Sequence, residues 1–290
     1  ESHGGRVLSR LENDVFPYIG KRPIADITPP ELLAVLQRVE DRGTVETARR
    51  ELSYCGQIFR YSVATGRITS DPSRDLKGAL ASVEAEHFAA ITDPKRVGDL
   101  LRSIDAYEGT PTVKAALRLA PLVFVRPGEL RAAQWADIDL DAGTWSYAVN
   151  KTKKSGVAEH IVPLAKQAVE ILTQLKPLTG SGRYVFPGAR SAKRPMSDVA
   201  ILAALRRMEI GKDEMTGHGF RAMARTILDE VLHFPPHLIE HQLAHAVRDP
   251  NGRAYNRTAH LPERHAMMQQ WADYLDKLRA GAEVIAFKRA

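Results

Sequence analysis

The apolar residues of the first 80 positions recur at the three- and four-residue spacing of amphipathic helices, which restricts that part of the chain to an all-helical unit. The segment TPPELLAVLQRVEDRG shows the limits of one such helix. Thr28 and Glu31 have the spacing of a capping box, and Pro29 fits the first helical turn. Gly43 follows the last periodic residue, so the sequence predicts a helix that ends there.

The next helix, predicted over TVETARRELSYCGQIFRYSVATG, carries one apolar and one basic set of side chains. We expect four apolar residues to contact the core: Leu52, Ile58, Phe59 and Val63. The basic set comprises Arg49, Arg50, Arg60 and Arg67. Two interpretations of these arginines stay open from the sequence: a charged face in solvent, or a face that lies against phosphate groups.

Residues 81–92 predict a connector, and the chain beyond it mixes helices with a few strands. Asp93 and Pro94 are typical of a helix start. TWSYAV and AEHIVPL flank the polar turn NKTKKSG, which predicts a β-hairpin with lysines at its tip, and GRYVFPG predicts a short strand. The expected fold is mainly α with a small β-sheet or hairpin. It has two domains, a helical one over 1–80 and a mixed α+β one over 93–290 with a C-terminal tail.

Composition limits the class of protein further. The net charge of +6 and the isoelectric point of about 9.4 suit a polyanionic partner. The single cysteine, Cys55, excludes a disulfide framework and indicates a reducing compartment such as the cytoplasm. No apolar run approaches the roughly 20 residues that a membrane-spanning helix needs, so we expect no membrane partner. The chain begins with Glu1 rather than Met, which suggests a piece of a longer protein.

The segment HQLAH places His241 and His245 four residues apart, on one face if both are helical, a spacing that zinc-binding helices also use. Such zinc sites place a glutamate directly after the first histidine, where it acts as the general base. Gln242 stands at that position and cannot take the proton. We therefore expect no metal here, a structural or surface role for His237 and His241, and no role for Gln242 beyond helix formation.

Two further clusters, MTGHGFR and VRPGEL, carry side chains that bind anions. His218 and Arg221 project from one face at a predicted helix N-terminus, where the backbone donors and the helix dipole favour negative charge. Arg126 precedes Pro127, a favoured first helical residue, so we expect its guanidinium beside unpaired backbone donors. Glu129 can orient a neighbouring base. Taken alone, each cluster is also compatible with a solvent-exposed surface that binds no ligand.

Five clusters follow one another along the chain: VRPGEL, the lysine-tipped hairpin, HGFR, LAH and RAYNR. Together with stretches such as DVFPYIGKRPIADITPPELLAVL, RYVFPGARS and MMQQWADYLD, they resemble the tyrosine site-specific recombinases, or phage-integrase family, and above all prophage and genomic-island integrases. The resemblance covers nearly the whole chain. It implies Arg126 and Arg221 as the phosphate-binding pair, His218 and His245 as the two histidines, Tyr255 as the nucleophile, and Lys154, with Lys151 and Lys153 as alternatives, as the hairpin lysine.

The same resemblance implies a reaction and its partners. Tyr255 attacks a DNA phosphodiester, forms a 3′-phosphotyrosine and frees a 5′-hydroxyl, with no metal, ATP or other cofactor. His218 takes the tyrosine proton, and the hairpin lysine supplies one to the departing oxygen. The implied partners are double-stranded DNA attachment sites, a homotetramer on synapsed DNA, and accessory DNA-bending or directionality proteins. The implied location is the cytoplasm, at the nucleoid.

Two other functions stay open from the sequence. A type IB topoisomerase uses a similar set of residues to relax DNA, and a non-catalytic DNA-binding relic would keep only the fold. We also expect the helical domain to be a core-type DNA-binding domain, and an arm-binding domain to precede this chain in the longer protein. The C-terminal tail carries apolar residues that we expect to pack on a neighbouring protomer: Val284, Ile285 and Phe287.

Overall fold

A computed structural model of the chain describes residues 3–82, 89–148, 159–245 and 260–281. It divides into two compact units, Glu1–Glu86 and His87–Ala290. The division falls inside the stretch 81–92 that the sequence predicts as a connector. Within the described ranges, no helix combines the length and the apolar character that crossing a bilayer requires.

The first unit contains only helices and turns in the part described. Its α-helices are α1 His3–Asp14, α2 Phe16–Ile19, α3 Pro29–Glu40 and α4 Val45–Ala64, with 3₁₀ turns at Ile24–Asp26 and Arg74–Leu76. The predicted capping box opens α3, because Glu31 Oε2 accepts from the Thr28 backbone N–H at 3.0 Å and from the Thr28 hydroxyl at 2.8 Å. The local sequence therefore sets where this helix begins.

The core of the first unit lies along one face of α4. Phe59 is 3% exposed, as predicted, and Leu52 packs against the core. Ile58 and Val63 are 40% and 37% exposed, so the core role predicted for these two residues is wrong. The reason is helical phase, because the buried stripe runs through Ala48, Cys55, Phe59 and Ser62.

The second unit packs helices around α6. Its helices are α5 Pro94–Ala106, α6 Pro111–Val123, α7 Pro127–Arg131, α8 Lys166–Thr179, α9 Ala200–Arg207, α10 Gly219–Glu230, α11 Pro236–Gln242 and α12 Leu261–Arg279. The carbonyl of Pro121 lies in the last turn of α6, where it has no partner within the helix. Trp271 on α12 donates its indole N–H to that carbonyl at 2.8 Å, which joins the two helices inside the core.

A small antiparallel sheet lies beside these helices. Its strands are β1 Ile138–Asp139, β2 Thr144–Ala148 and β3 Glu159–Pro163, in that order. β2 and β3 pair from Thr144 with Pro163 to Ala148 with Glu159, so the strands of the predicted hairpin are confirmed. A second pair, β4 Pro187–Gly188 and β5 Ser191–Pro195, completes the described strands. Of GRYVFPG, only the last two residues form a strand, because Tyr184 instead makes an isolated bridge with Gln134.

Candidate active site

Arg126 stands immediately before α7 and is held there by Glu129. Glu129 Oε2 accepts from the Arg126 backbone N–H at 3.0 Å, and Oε1 accepts from Arg126 Nη1 at 2.9 Å. Tyr147 on β2 donates its hydroxyl to Glu129 Oε2 at 2.8 Å. Burial, and then the charge of Glu129, raise the pKa of Tyr147, so this phenol stays protonated and remains a donor. Three donors therefore fix the carboxylate, and the carboxylate fixes the guanidinium.

Arg221, in the first turn of α10, is tied to two backbone carbonyls. Nη1 donates to Phe124 O at 3.0 Å and Nη2 to Leu243 O at 2.7 Å. Nη2 also lies 3.1 Å from His245 Nε2. Burial, and then the guanidinium of Arg126, lower the pKa of Arg221 to about 10, which leaves it charged at neutral pH. The second arginine is therefore a half-buried, oriented cation close to the first.

The chain turns sharply after α11, and the two arginines bind that turn. α11 ends at Gln242, and Ala244 adopts a left-handed φ of 50°. Arg126 Nη2 donates to Ala244 O at 3.2 Å, one residue beyond the carbonyl that the other arginine binds. His245 consequently leaves the helix. The prediction that it shares a helical face with His241 is wrong, because these contacts and the turn direct it toward the arginines instead.

His218 is the residue that precedes α10. Burial lowers its pKa first, and the charges of Arg221 and Arg126 lower it further. A lowered pKa keeps the imidazole neutral at physiological pH, the state in which it can accept a proton. The structure thus brings together five of the residues singled out in the sequence: Arg126, Glu129, His218, Arg221 and His245.

Gln242 has a role that the sequence did not reveal, so the expectation that it only forms helix is wrong. Gln242 and Arg264 are 1% and 2% exposed. Gln242 Oε1 accepts from Arg264 Nε at 3.1 Å and from Nη2 at 2.7 Å, and Nη2 also donates to Ile161 O at 2.5 Å. These bonds join α11, α12 and β3.

His160 on β3 adds a fourth connection to this buried network. Burial, and then the charge of Arg264, lower the pKa of His160 to about 3, so the ring is neutral. Its Nε2 lies 3.1 Å from the backbone carbonyl of Gln242, which can only accept, so Nε2 donates. A sequence signal for Gln242 did exist: it falls on the same helical stripe as the buried residues Leu238 and Ile239, where a polar side chain needs a partner.

The remaining histidines of α11 face the start of α12. The ring centroids of His237 and His241 lie 4.8 Å and 5.6 Å from that of His260. Burial, and then His260, lower the pKa of His241. Across the ranges that the structure describes, no three histidine, cysteine or acidic side chains are arranged to hold a metal ion.

Some predicted residues lie outside the described ranges. They are Lys151, Lys153 and Lys154 at the hairpin tip, Tyr255 after the turn, and Val284, Ile285 and Phe287 in the tail. The strands on either side of the hairpin tip are described, as are His245 before Tyr255 and α12 after it.

The arginines of α4 differ in what they contact. Arg49 and Arg60 line one depression of about 310 Å³ together with Lys77. Arg50 instead pairs with Glu46 one turn away, at 2.8 Å. Arg60 also lies 3.7 Å from the carboxylate of Asp71. Arg49 and Arg60 therefore share a cationic face, and Arg50 pairs with an acid of its own helix.

Comparison with known proteins identifies related sequences along most of the chain. The family described as phage integrase central domain matches residues 1–79, and the phage integrase family matches residues 92–260. The integrase of Enterobacteria phage P4 is 38% identical over 96% of this chain and 66% of its own length. Prophage integrase IntZ of Escherichia coli K12 is 38% identical over 97% of this chain and 68% of its own length. The chain therefore spans about two thirds of these relatives.

Solved structures with the same fold include lambda integrase. Its dimer bound to a core site superposes with a TM-score of 0.66 at 20% identity, covering 88% of this chain and 92% of that one. Its tetramer bound to a Holliday junction superposes with a TM-score of 0.64 at 18% identity, covering 88% and 75%. The structural likeness establishes the two-domain recombinase fold, and the sequence matches establish the family. The chain belongs to the phage integrase family of tyrosine recombinases.

Proposed function

We propose that this chain cuts and rejoins DNA through a 3′-phosphotyrosine at Tyr255, as a site-specific recombinase that integrates or excises a mobile element. The observation that carries the proposal is the convergence of Arg126 and Arg221 on the turn 243–245. Arg126 binds Ala244 O at 3.2 Å, Arg221 binds Leu243 O at 2.7 Å, and Arg221 lies 3.1 Å from His245. Three phosphate-binding side chains from three elements thus meet ten residues before the nucleophile.

The two guanidiniums supply the charge that the reaction needs. Attack on a phosphodiester adds negative charge to the non-bridging oxygens, and a guanidinium fork can bind two such oxygens at once. Each preorganised donor of this kind contributes about 3 kcal/mol to lowering a barrier. Both arginines are already oriented by protein contacts, Arg126 by Glu129 and Arg221 by the Phe124 carbonyl. Little reorganisation is therefore needed when the phosphate binds.

Proton transfer is assigned to His218 and to a lysine of the hairpin. The Tyr255 oxygen forms a bond to phosphorus while its proton passes to His218, whose lowered pKa leaves the ring neutral and able to accept it. The bond from phosphorus to the 5′ oxygen breaks, and that oxygen takes a proton from Lys154, with Lys151 and Lys153 as alternatives. The phosphotyrosine ester retains the bond energy, so religation by a 5′-hydroxyl needs no ATP.

Double-stranded DNA attachment sites are the substrate of this proposal, and a homotetramer is the assembly. The crystallised dimer and tetramer of lambda integrase on DNA support both. In the first unit, the cationic depression of Arg49, Arg60 and Lys77 is the surface we assign to the DNA backbone. Accessory DNA-bending or directionality proteins complete the proposed partners. Action on chromosomal DNA would place the protein at the nucleoid.

A suicide substrate tests the proposal directly. The probe is a duplex carrying the junction between the encoding element and its host chromosome, nicked so that the released fragment diffuses away. We expect a covalent protein–DNA adduct that maps to Tyr255, disappears in Tyr255→Phe and persists in EDTA. An adduct that survives Tyr255→Phe, or one that requires a divalent cation, contradicts the proposed chemistry.

A second assay separates recombination from simple DNA relaxation. Strand exchange between two junction-bearing duplexes is expected of a recombinase and requires matched sites. A type IB topoisomerase instead relaxes supercoiled plasmid irrespective of sequence. Relaxation without site-dependent exchange would favour that alternative, and a protein that binds the junction but forms no adduct would be a non-catalytic relic.

A further inference from the structure

His245 is held between two groups of opposite character. On one side, Arg221 Nη2 lies 3.1 Å from its Nε2. On the other, Glu240 Oε2 lies 2.5 Å from its Nδ1. The His245 backbone N–H also donates to the Glu240 carbonyl at 3.1 Å. Glu240 belongs to none of the five sequence clusters, yet it makes the shortest of these contacts to the histidine.

The two contacts decide which ring nitrogen carries hydrogen. A guanidinium has only donors, so Nε2 must accept from Arg221 and carries no hydrogen in this arrangement. A carboxylate can only accept, so Nδ1 must carry the hydrogen and donate it to Glu240. The surroundings therefore select the Nδ1–H tautomer of a neutral ring. A carboxylate that holds one nitrogen of a functional histidine fixes both its tautomer and its orientation.

The carboxylate of Glu240 is itself fixed from α10. Arg225 Nε donates to Glu240 Oε1 at 3.2 Å, while Arg225 Nη1 donates to Asp229 Oδ2 at 3.0 Å. Arg225 and Arg221 are four residues apart on α10 and so share one face of the helix. The helix α10 therefore presents Arg225 to Glu240 and Arg221 to His245.

We propose that Glu240 is a positioning residue for His245, and that Arg225 in turn positions Glu240. The proposal rests on the proposed function, which supplies the phosphate that His245 meets. To donate to a phosphate oxygen, Nε2 must carry a hydrogen, so the ring takes a proton from solvent at Nε2 and becomes a cation. Nδ1–H stays on Glu240, whose negative charge stabilises that cation against the nearby guanidiniums of Arg221 and Arg126.

Two substitutions separate orientation from charge. Glu240→Gln keeps an oxygen that can accept from Nδ1–H but removes the charge, and Glu240→Leu removes both. The charged groups linked to His245 by the contacts above are Arg221, Arg225 and Asp229 on α10, Arg126 and Glu129 at the start of α7, and Glu240 on α11. The matched control is Glu230→Gln, because Glu230 is an exposed acid at the end of the same α10.

The first measurement needs no activity. Nitrogen-15 shifts of the His245 ring in the full chain without DNA are expected to show the Nδ1–H tautomer in the unmodified protein, in Glu240→Gln and in Glu230→Gln. Glu240→Leu leaves Arg221 as the only one of these two groups to hold the ring, so a second population with the Nε2–H tautomer is expected to appear. The same tautomer in all four proteins would overturn the proposed orientation, whether or not the chain cleaves DNA.

The second measurement is single-turnover adduct formation on the nicked junction duplex across pH. Glu240→Gln is expected to lower the rate about tenfold at neutral pH and to move the alkaline limb toward lower pH, because the ring cation has lost its counter-charge. Glu240→Leu is expected to lower the rate further, and Glu230→Gln to leave the rate and its pH profile unchanged. An unmoved alkaline limb in a folded Glu240→Gln would overturn the electrostatic role.

A double-substitution cycle excludes a purely structural effect. In a His245→Ala background, Glu240→Leu is expected to cause no further loss of rate, because the group that Glu240 positions is gone. The same loss in both backgrounds would mean that Glu240 acts on the fold and not on His245. If the unmodified chain forms no adduct at all, the proposed function fails, and the tautomer measurement still decides the orientation by Glu240.

Discussion

The buried pair Gln242 and Arg264 offers a quantitative test of how the second unit is held together. Arg264→Met removes three hydrogen bonds while keeping an apolar side chain of similar length. One buried acceptor, Gln242 Oε1, and the half-buried carbonyl of Ile161 lose those donors. Leaving a buried acceptor unpaired costs about 1–3 kcal/mol, and removal of the buried charge offsets part of the sum, so we expect a loss of about 3 kcal/mol in unfolding free energy.

Substitution of Gln242, alone and together with Arg264, provides a further test of this expectation. Gln242→Leu leaves the Arg264 guanidinium without the acceptor of two of its bonds, and we expect a comparable loss of about 3 kcal/mol. The double variant replaces both polar partners with apolar groups and, among the described groups, leaves Ile161 O without its donor. Such paired replacement is close to neutral, so the double variant should be destabilised by about 1–2 kcal/mol, less than either single variant.

Denaturation by guanidinium chloride, followed by tryptophan fluorescence, measures the stability of the second unit alone. All three tryptophans of the chain, Trp135, Trp145 and Trp271, lie in the second unit. The midpoint and slope of that transition give its unfolding free energy without a signal from the helical unit. The reasoning is refuted if Arg264→Met costs less than about 1 kcal/mol, or if the losses of the single variants simply add in the double variant.

Three further predictions concern the site, the helical unit and DNA binding. Arg126→Lys keeps the charge but loses the planar fork, so single-turnover adduct formation should fall at least about 100-fold while junction binding in a gel shift changes little. Burial, and then Asp14, raise the pKa of Glu51 to about 8. A raised pKa in the folded state contributes stability that is fully present below the unfolded value of 4.5 and is lost as pH rises from there through 8, so Glu51→Gln should raise the melting temperature measured by circular dichroism most at pH 9, less at pH 6 and not at pH 4. Arg49→Ala should reduce the slope of log binding constant against log salt by about one, whereas Arg50→Ala, with its partner already in Glu46, should leave the slope unchanged.

Local sequence rules account for much of the fold because they act over one or two turns. The capping box of Thr28 and Glu31 was readable from spacing and is present at 3.0 Å and 2.8 Å. The alternation of TWSYAV and AEHIVPL predicted a strand pair, and both strands are found. The wrong core assignments of Ile58 and Val63 were errors of helical phase, because a helix of 20 residues offers several apolar stripes and only packing selects one.

The candidate site shows the same contrast between what local sequence rules predict and what only packing decides. By itself, the sequence determined the helical first unit, the mixed second unit and the family, and it predicted the candidate arginines and histidines in the order of their clusters. Only the tertiary structure decided that His245 leaves α11 toward Arg221, that Gln242 is buried on Arg264, and that Glu240 holds the imidazole. The partners in these contacts are not spaced three or four residues apart along one helix, and several belong to separate elements. Periodicity can mark a position as buried, as it does for Gln242, but neither periodicity nor capping identifies the partner, because the energy of such a contact arises only when packing removes water from both side chains.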